Sequence, residues 1–150
     1  MALSENGKVY FDPIFVKDVI ERMDKEWMFK CEVHDILKAP VNDIFDAAYS
    51  LDVIEHMPKE KEPIFMSNIV HSLRKEGVLI IGTPNIESQK YASKYSNVGH
   101  VNCKNHQELK NLMSKFFHNV FVFSMNDEVV HTGFYPMAHY LFGIGVGVKK

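Results

Sequence analysis

The stretch Phe45-Asp46-Ala47-Ala48-Tyr49-Ser50-Leu51-Asp52-Val53-Ile54-Glu55-His56-Met57-Pro58 decides the fold. Residues 45–50 are an apolar run of strand length that stops at Leu51-Asp52. Pro63 then opens a helical pattern, with Met66, Ile69, Val70 and Leu73 on the face to be buried and Gly77 as its stop. Val78-Leu79-Ile80-Ile81 follows as a continuous apolar run, the pattern of a strand buried on both faces, and ends at Gly82-Thr83-Pro84-Asn85. A strand, a helix and a second strand, each strand ending in polar residues, predict a parallel βαβ unit.

The same alternation extends in both directions. Upstream, Val9-Tyr10-Phe11 is a short apolar run ending at Asp12-Pro13, and Val16, Val19, Ile20 and Met23 recur at helical spacing. Residues 28–33 are strand-like and end at His34-Asp35. Downstream, a polar loop over 86–104 leads to Asn105 and Glu108, spaced as a capping box, and to the stripe Leu109, Leu112, Met113 and Phe116. Two strand-like runs close the chain, 119–125 and 140–148, with no clear helix between them. They are expected to pair antiparallel at one sheet edge. The expectation is therefore one α/β domain over 1–150, with a Rossmann-like, mainly parallel sheet and an antiparallel C-terminal edge pair.

Composition narrows the function. The 150 residues are 46% apolar, enough for one core. A formal net charge of -2 gives no basic surface for nucleic acid. Cys31 and Cys103 form no C-x-x-C pair, and two reduced thiols fit a cytoplasmic protein. No apolar run reaches membrane-spanning length; the most apolar stretch, 134–148, is interrupted by Pro136, His139 and three glycines.

In an open α/β sheet, ligands bind beyond the carboxyl ends of the strands. Those ends carry Asp12, Asp35, the segment 50–56 and Thr83-Pro84-Asn85. One carboxylate there can accept from a ribose diol, and another from an adenine amino group. Helix or turn capping accounts for any one of these aspartates alone; together they suit a nucleoside-shaped ligand. Asp52, Glu55 and His56 stand at i, i+3 and i+4, which share one face of a helical turn. With the distant His100 they make two carboxylates and two imidazoles, a donor set suited to Mg²⁺, Mn²⁺ or Zn²⁺. In the alternative, Glu55 and His56 are a structural or substrate-lining pair without an ion, and His56 or His100 acts as general base.

The segment 45–58, followed by a helix and by Gly77 to Asn85, resembles the fourth- and fifth-strand region of class I S-adenosylmethionine (SAM)-dependent methyltransferases. Gly99-His100-Val101, ahead of the helix from Asn105, is similar to the family's loop before its last helix. The resemblance implies methyl transfer from SAM to a small-molecule or macromolecular acceptor that the sequence does not identify. It implies that Asp12 holds the SAM ribose, that Asp35 and Ile36 flank the adenine, and that Ser50 and Leu51 pass beneath the methionine part. The family's first strand and glycine-rich turn have no counterpart ahead of Val9; Gly143, Gly145 and Gly147 precede no helix and do not replace them. A domain lacking its first βα unit is thus expected, with self-association or a partner chain covering the exposed edge. A catalytically degenerate, methyltransferase-like binding protein is the second reading. The D-x-x-E-H segment with a later histidine also resembles that of metal-dependent small-RNA 2′-O-methyltransferases, with Asp52 in place of a glutamate. That makes an RNA methyltransferase the third reading, against which the net charge argues.

Overall fold

The computed structural model describes residues 2–5, 8–11 and 33–149. They fall into two compact units, Met1–Asp35 and Ile36–Lys150. In the first, β1 (Ala2–Glu5) pairs antiparallel with β2 (Lys8–Phe11), with Glu5 opposite Lys8. The run at Val9 therefore pairs within a hairpin, where a strand of a parallel sheet was expected. The intervening sequence is Asn6-Gly7, the dipeptide that two-residue hairpins favour. The helical pattern over 16–23 and the strand-like run over 28–32 lie outside the described residues.

The second unit holds the sheet. Its strands are β3 (Phe45–Leu51), β4 (Leu73–Pro84), β5 (Phe117–Asn126), β6 (Val129–His131) and β7 (Tyr140–Val148), in the order β3-β4-β7-β5-β6. The α/β expectation holds, but the mainly parallel sheet needs correction. Among the described strands only β3 and β4 run parallel; β4–β7, β7–β5 and β5–β6 are antiparallel. The final two runs do pair antiparallel, yet not at the edge, because β7 enters between β4 and β5 and the short β6 takes the outer position. Gly143 and Gly145 explain why β7 suits that place. A Cβ on Gly143 would sit 2.3 Å from the Met113 sulfur, and one on Gly145 would sit 2.6 Å from the Phe117 ring. The bare backbone lets the overlying side chains descend onto the strand.

Three helices accompany the sheet: α1 (Glu62–His71), α2 (Lys94–Gly99) and α3 (His106–Ser114). Pro63 occupies the first turn of α1, where a missing N–H is harmless. Its buried face carries Phe65, Met66, Ile69 and Val70. Leu73 is buried as expected, but on β4 opposite Phe45 rather than on the helix. The register then advances from Leu73 to Val78 while β3 advances only from Phe45 to Ala47, so residues 74–77 bulge. Gly77 closes that bulge, its Cβ position only 2.8 Å from the Arg74 carbonyl oxygen. The capping box forms as read: Glu108 N–H donates to Asn105 Oδ1 at 2.9 Å, and Asn105 N–H to Glu108 Oε2 at 3.0 Å. Leu109, Leu112 and Met113 then pack into one core with Leu79, Ile81, Phe117, Val122 and Leu141. β4 is buried on one face only: Leu79 and Ile81 are fully enclosed, whereas Val78 and Ile80 are half-buried. The loop over 86–104 is more ordered than its polarity suggested, containing a 3₁₀ turn at Ile86–Tyr91 as well as α2. Among the described residues no helix is long and apolar enough to cross a membrane.

Candidate active site

Because β3 and β4 are parallel, their carboxyl ends lie side by side, Leu51 next to Gly82. Asp52 N–H donates to the Gly82 carbonyl at 3.1 Å, and Asp52 takes a left-handed φ of 54°. Aspartate tolerates that conformation better than most side chains. The chain then enters a 3₁₀ turn, Ile54–His56, which buries Ile54 and Glu55 and leaves His56 exposed.

Glu55 is fully enclosed. Thr83, also fully buried, donates its hydroxyl to Glu55 Oε2 at 3.0 Å. Glu55 Oε1 is buried without a hydrogen-bond partner and faces His56 Nε2 at 3.8 Å. Burial, aided by the Asp52 charge and opposed by the hydrogen bonds and by His56, pushes the Glu55 carboxyl above the usual carboxylate range. The same burial, with the Glu55 charge nearby, pushes the free Cys103 thiol up to about 11, so it stays protonated.

The two histidines are oriented by oxygens. His56 Nδ1 lies 3.0 Å from the Gly99 carbonyl, and His100 Nδ1 lies 2.8 Å from Gln89 Oε1. A carbonyl oxygen can only accept, so each Nδ1 carries the proton and each Nε2 offers a lone pair when the ring is neutral. The rings stand edge to face with centroids 5.1 Å apart. One ligand atom from each of Glu55, His56 and His100 lies within 4.8 Å of the other two. A carboxylate with two imidazoles is a donor set for a divalent transition metal. Imidazoles whose second nitrogen donates to an oxygen are held as metal-bound histidines usually are.

Asp52, the remaining member of the expected set, is not in that group. It precedes the 3₁₀ turn in a left-handed conformation, so it does not share a helical face with Glu55 and His56. Burial, and after it the neighbouring Asp52 carboxylate, raises the Tyr140 pKa. Tyr140 and Leu51 close over Gly82, where a Cβ would lie 2.7 Å from the tyrosine ring and 2.6 Å from Leu51 Cδ2. Tyr140 opens the last strand-like run of the sequence; only the three-dimensional pairing of β7 with β4 brings it here.

The residues expected at the cofactor are placed as follows. Ser50 is half-buried and Leu51 exposed at the end of β3, one turn ahead of Glu55. Ile36 lies against the core beside α1, its carbonyl accepting from Asn68 Nδ2 at 2.6 Å. It lines a groove with Phe45, Ala47, Tyr49 and Ile69, a groove that Ser50 and Leu51 do not line. Asp35 belongs to the other unit, and Asp12 lies outside the described residues. In the Thr83-Pro84-Asn85 segment, Thr83 serves Glu55, whereas Asn85 is a strut. Its buried side chain donates to the carbonyls of Tyr135 at 2.8 Å and Ala138 at 2.9 Å. That strut holds Tyr135, which stacks on His106 with ring centroids 3.5 Å apart.

No protein-family model matches the chain, and no curated protein matches it significantly. Solved structures do. A small RNA methyltransferase, HEN1, superposes with a TM-score of 0.57 over 76% of this chain at 20% identity, though the match spans only 15% of HEN1. A SAM-dependent methyltransferase from Thermotoga maritima, described as a possible histamine N-methyltransferase, gives 0.60 over 75% of this chain and 61% of its own length at 21% identity. The N-methyltransferase NodS from Bradyrhizobium japonicum, in complex with S-adenosyl-L-homocysteine, gives 0.60 over 91% of this chain and 63% of NodS at 14% identity. What the chain shares with these proteins is the fold of SAM-dependent methyltransferases.

Proposed function

We propose that the chain binds SAM at the carboxyl ends of its sheet and transfers the methyl group to an acceptor oxygen beside Glu55, His56 and His100. One observation carries the reading: Glu55, with one buried carboxylate oxygen unpaired, and two imidazoles each oriented through Nδ1 offer ligand atoms that lie within 4.8 Å of one another. Glu55 Oε1, His56 Nε2 and His100 Nε2 would hold a divalent cation, Mg²⁺, Mn²⁺ or Zn²⁺. Such an ion, when bound, lowers the pKa of an acceptor hydroxyl. The chain's own contribution is positional. Thr83 fixes the rotamer of Glu55, while Gly99 and Gln89 fix the ring planes. The enclosure of Glu55 excludes water from its unpaired oxygen; with an ion held by both Nε2 atoms the proton of the acceptor hydroxyl would pass to solvent, and only in the ion's absence can a neutral imidazole take it up at Nε2. Ser50 and Leu51, at the carboxyl end of β3, would pass beneath the methionine part of SAM.

Calorimetry with SAM and S-adenosylhomocysteine, with and without Mn²⁺, tests this. Heat of binding to either nucleoside supports the enzyme; a folded protein silent at millimolar ligand leaves the degenerate, binding-only reading.

One specific observation favours an RNA acceptor within this scheme. Tyr91 and Tyr95 are 78% and 92% exposed, and each follows a lysine in sequence, with Lys90 Nζ 4.9 Å over the Tyr91 ring. Exposed aromatics beside basic groups suit stacked single-stranded bases. Methylation of an oligoribonucleotide, absent when its terminal 2′-hydroxyl is removed, would establish it against the small-molecule acceptor.

A further inference from the structure

Behind the Glu55–His56–His100 cluster lies a second polar group that the proposed chemistry does not use. Lys104 is 3% exposed, Glu62 6% and Asn102 7%. The Lys104 ammonium donates to Glu62 Oε1, to Asn102 Oδ1 at 2.6 Å and to the Asn102 carbonyl at 3.1 Å. Its three N–H bonds thus have three acceptors. Asn102 Nδ2 in turn donates to Glu62 Oε1 at 2.7 Å. A lysine, an asparagine and a glutamate form a closed buried set.

The set lies where the site-bearing segments cross. Asn102 N–H donates to the Glu55 carbonyl at 3.0 Å, and Asn102 Nδ2 reaches the Ile54 carbonyl at 3.5 Å, so the loop that begins at His100 is tied to the Ile54–His56 turn. Ile86 N–H donates to the Lys104 carbonyl at 3.0 Å, which ties in the turn carrying Gln89, the partner of His100. Glu62 anchors all of this to the first turn of α1. A buried ion pair is a poor source of net stability, because desolvating two charges offsets most of their attraction. What it does supply is a single permitted arrangement, since any displacement leaves a buried charge unpaired.

We propose that Lys104 is a positioning residue: its buried ammonium, gripping Glu62 and Asn102, sets the separation of His100 from the Glu55–His56 turn. The part of this inference that concerns a cation rests on the reading of the cluster given above; the part that concerns geometry does not. The test is the double substitution Glu62→Leu with Lys104→Met, which removes both charges while keeping apolar volume, studied in the whole chain by NMR. In metal-free protein the cross-peak between the His56 and His100 rings reports their contact. A loosening of about 1 Å from the 5.1 Å ring separation weakens an inverse-sixth-power cross-peak about threefold. Thermal unfolding of the same variant is expected to remain near that of the parent. Mn²⁺ affinity is expected to fall about tenfold or more, as for lost outer-shell partners. A folded double variant with an undiminished cross-peak overturns the role of Lys104. Parent protein in which Mn²⁺ broadens neither histidine overturns the cation reading instead, and leaves the cross-peak result standing. Should the double variant not fold, Asn102→Ala cuts the same network with both charges retained, and the same loss of the cross-peak is expected.

Discussion

Glu55→Gln makes the sharpest demand on this description. In metal-free protein Glu55 is fully enclosed, with one oxygen satisfied by Thr83 and the other facing a histidine lone pair at 3.8 Å. Two acceptors pointed at each other in a buried place are destabilising. Glutamine keeps the shape, keeps an oxygen for Thr83, and turns an N–H donor toward His56 Nε2. At neutral pH it should therefore stabilise the metal-free chain by about 1–3 kcal/mol, the usual penalty of an unsatisfied buried group. In a chain of this size that raises the melting temperature by about 2–4 °C per kcal/mol. The pH dependence has a definite sign. The folded-state pKa of Glu55 is raised above its unfolded value of 4.5. The stabilisation from its protonated form is complete below that unfolded value and is lost as pH rises through the raised folded one. The advantage of the glutamine variant should accordingly be small at pH 4.5 and grow toward pH 8, with its own melting curve flatter over that range. The assay is thermal unfolding in a chelating buffer at several pH values. A glutamine variant less stable than the parent at pH 8, or an advantage that does not change with pH, would refute the assignment of Glu55 as a buried, unpaired carboxylate.

Four further outcomes are expected. His100→Ala should weaken Mn²⁺ binding by about tenfold or more while leaving the melting temperature nearly unchanged, read by electron paramagnetic resonance of free Mn²⁺. Asp52→Glu should leave Mn²⁺ affinity unchanged, since Asp52 stands outside the Glu55–His56–His100 group, while the left-handed backbone there costs about 1–2 kcal/mol of stability by denaturant unfolding. Gly145→Ala drives a methyl group against the buried Phe117 ring and should cost about 1–3 kcal/mol by the same measurement. Leu79→Ala should cost about 2–5 kcal/mol, and substitution of its half-buried neighbour Val78 by alanine distinctly less, since only one face of β4 is closed over.

Local signals carried the reading where the chemistry is local. Pro63, the Asn105–Glu108 box and the run over 140–148 each reported a boundary because capping, a missing N–H and strand alternation act within a few residues. Glu55, His56 and His100 stood out by side-chain type, and the fold brings ligand atoms of all three within 4.8 Å of one another. Pairing partners were not legible. Nothing near 140–148 says that it enters between two earlier strands; the glycines that allow it do so through contacts with Met113 and Phe117, far away in sequence. Asp52 was misplaced for a related reason: i, i+3, i+4 spacing presumes a helix that begins at Asp52, whereas the turn starts at Ile54. Lys104 and Glu62 gave no signal at all, since a charged residue in a polar segment reads as solvated, and only a fold that buries both reveals the pair.

The place of β7 bears on how this sheet assembles. β4 and β5 share no direct ladder, so backbone pairing between the two halves of the described sheet runs through β7, a strand that follows both of them in sequence. Until residues 140–148 arrive, each half presents an open seam, and the core side chains that straddle it, Leu79 and Phe117 among them, lack their common neighbour. A nascent chain stalled before Tyr140 should consequently behave as two loosely associated fragments, and cooperative unfolding should appear only once that last seam is filled.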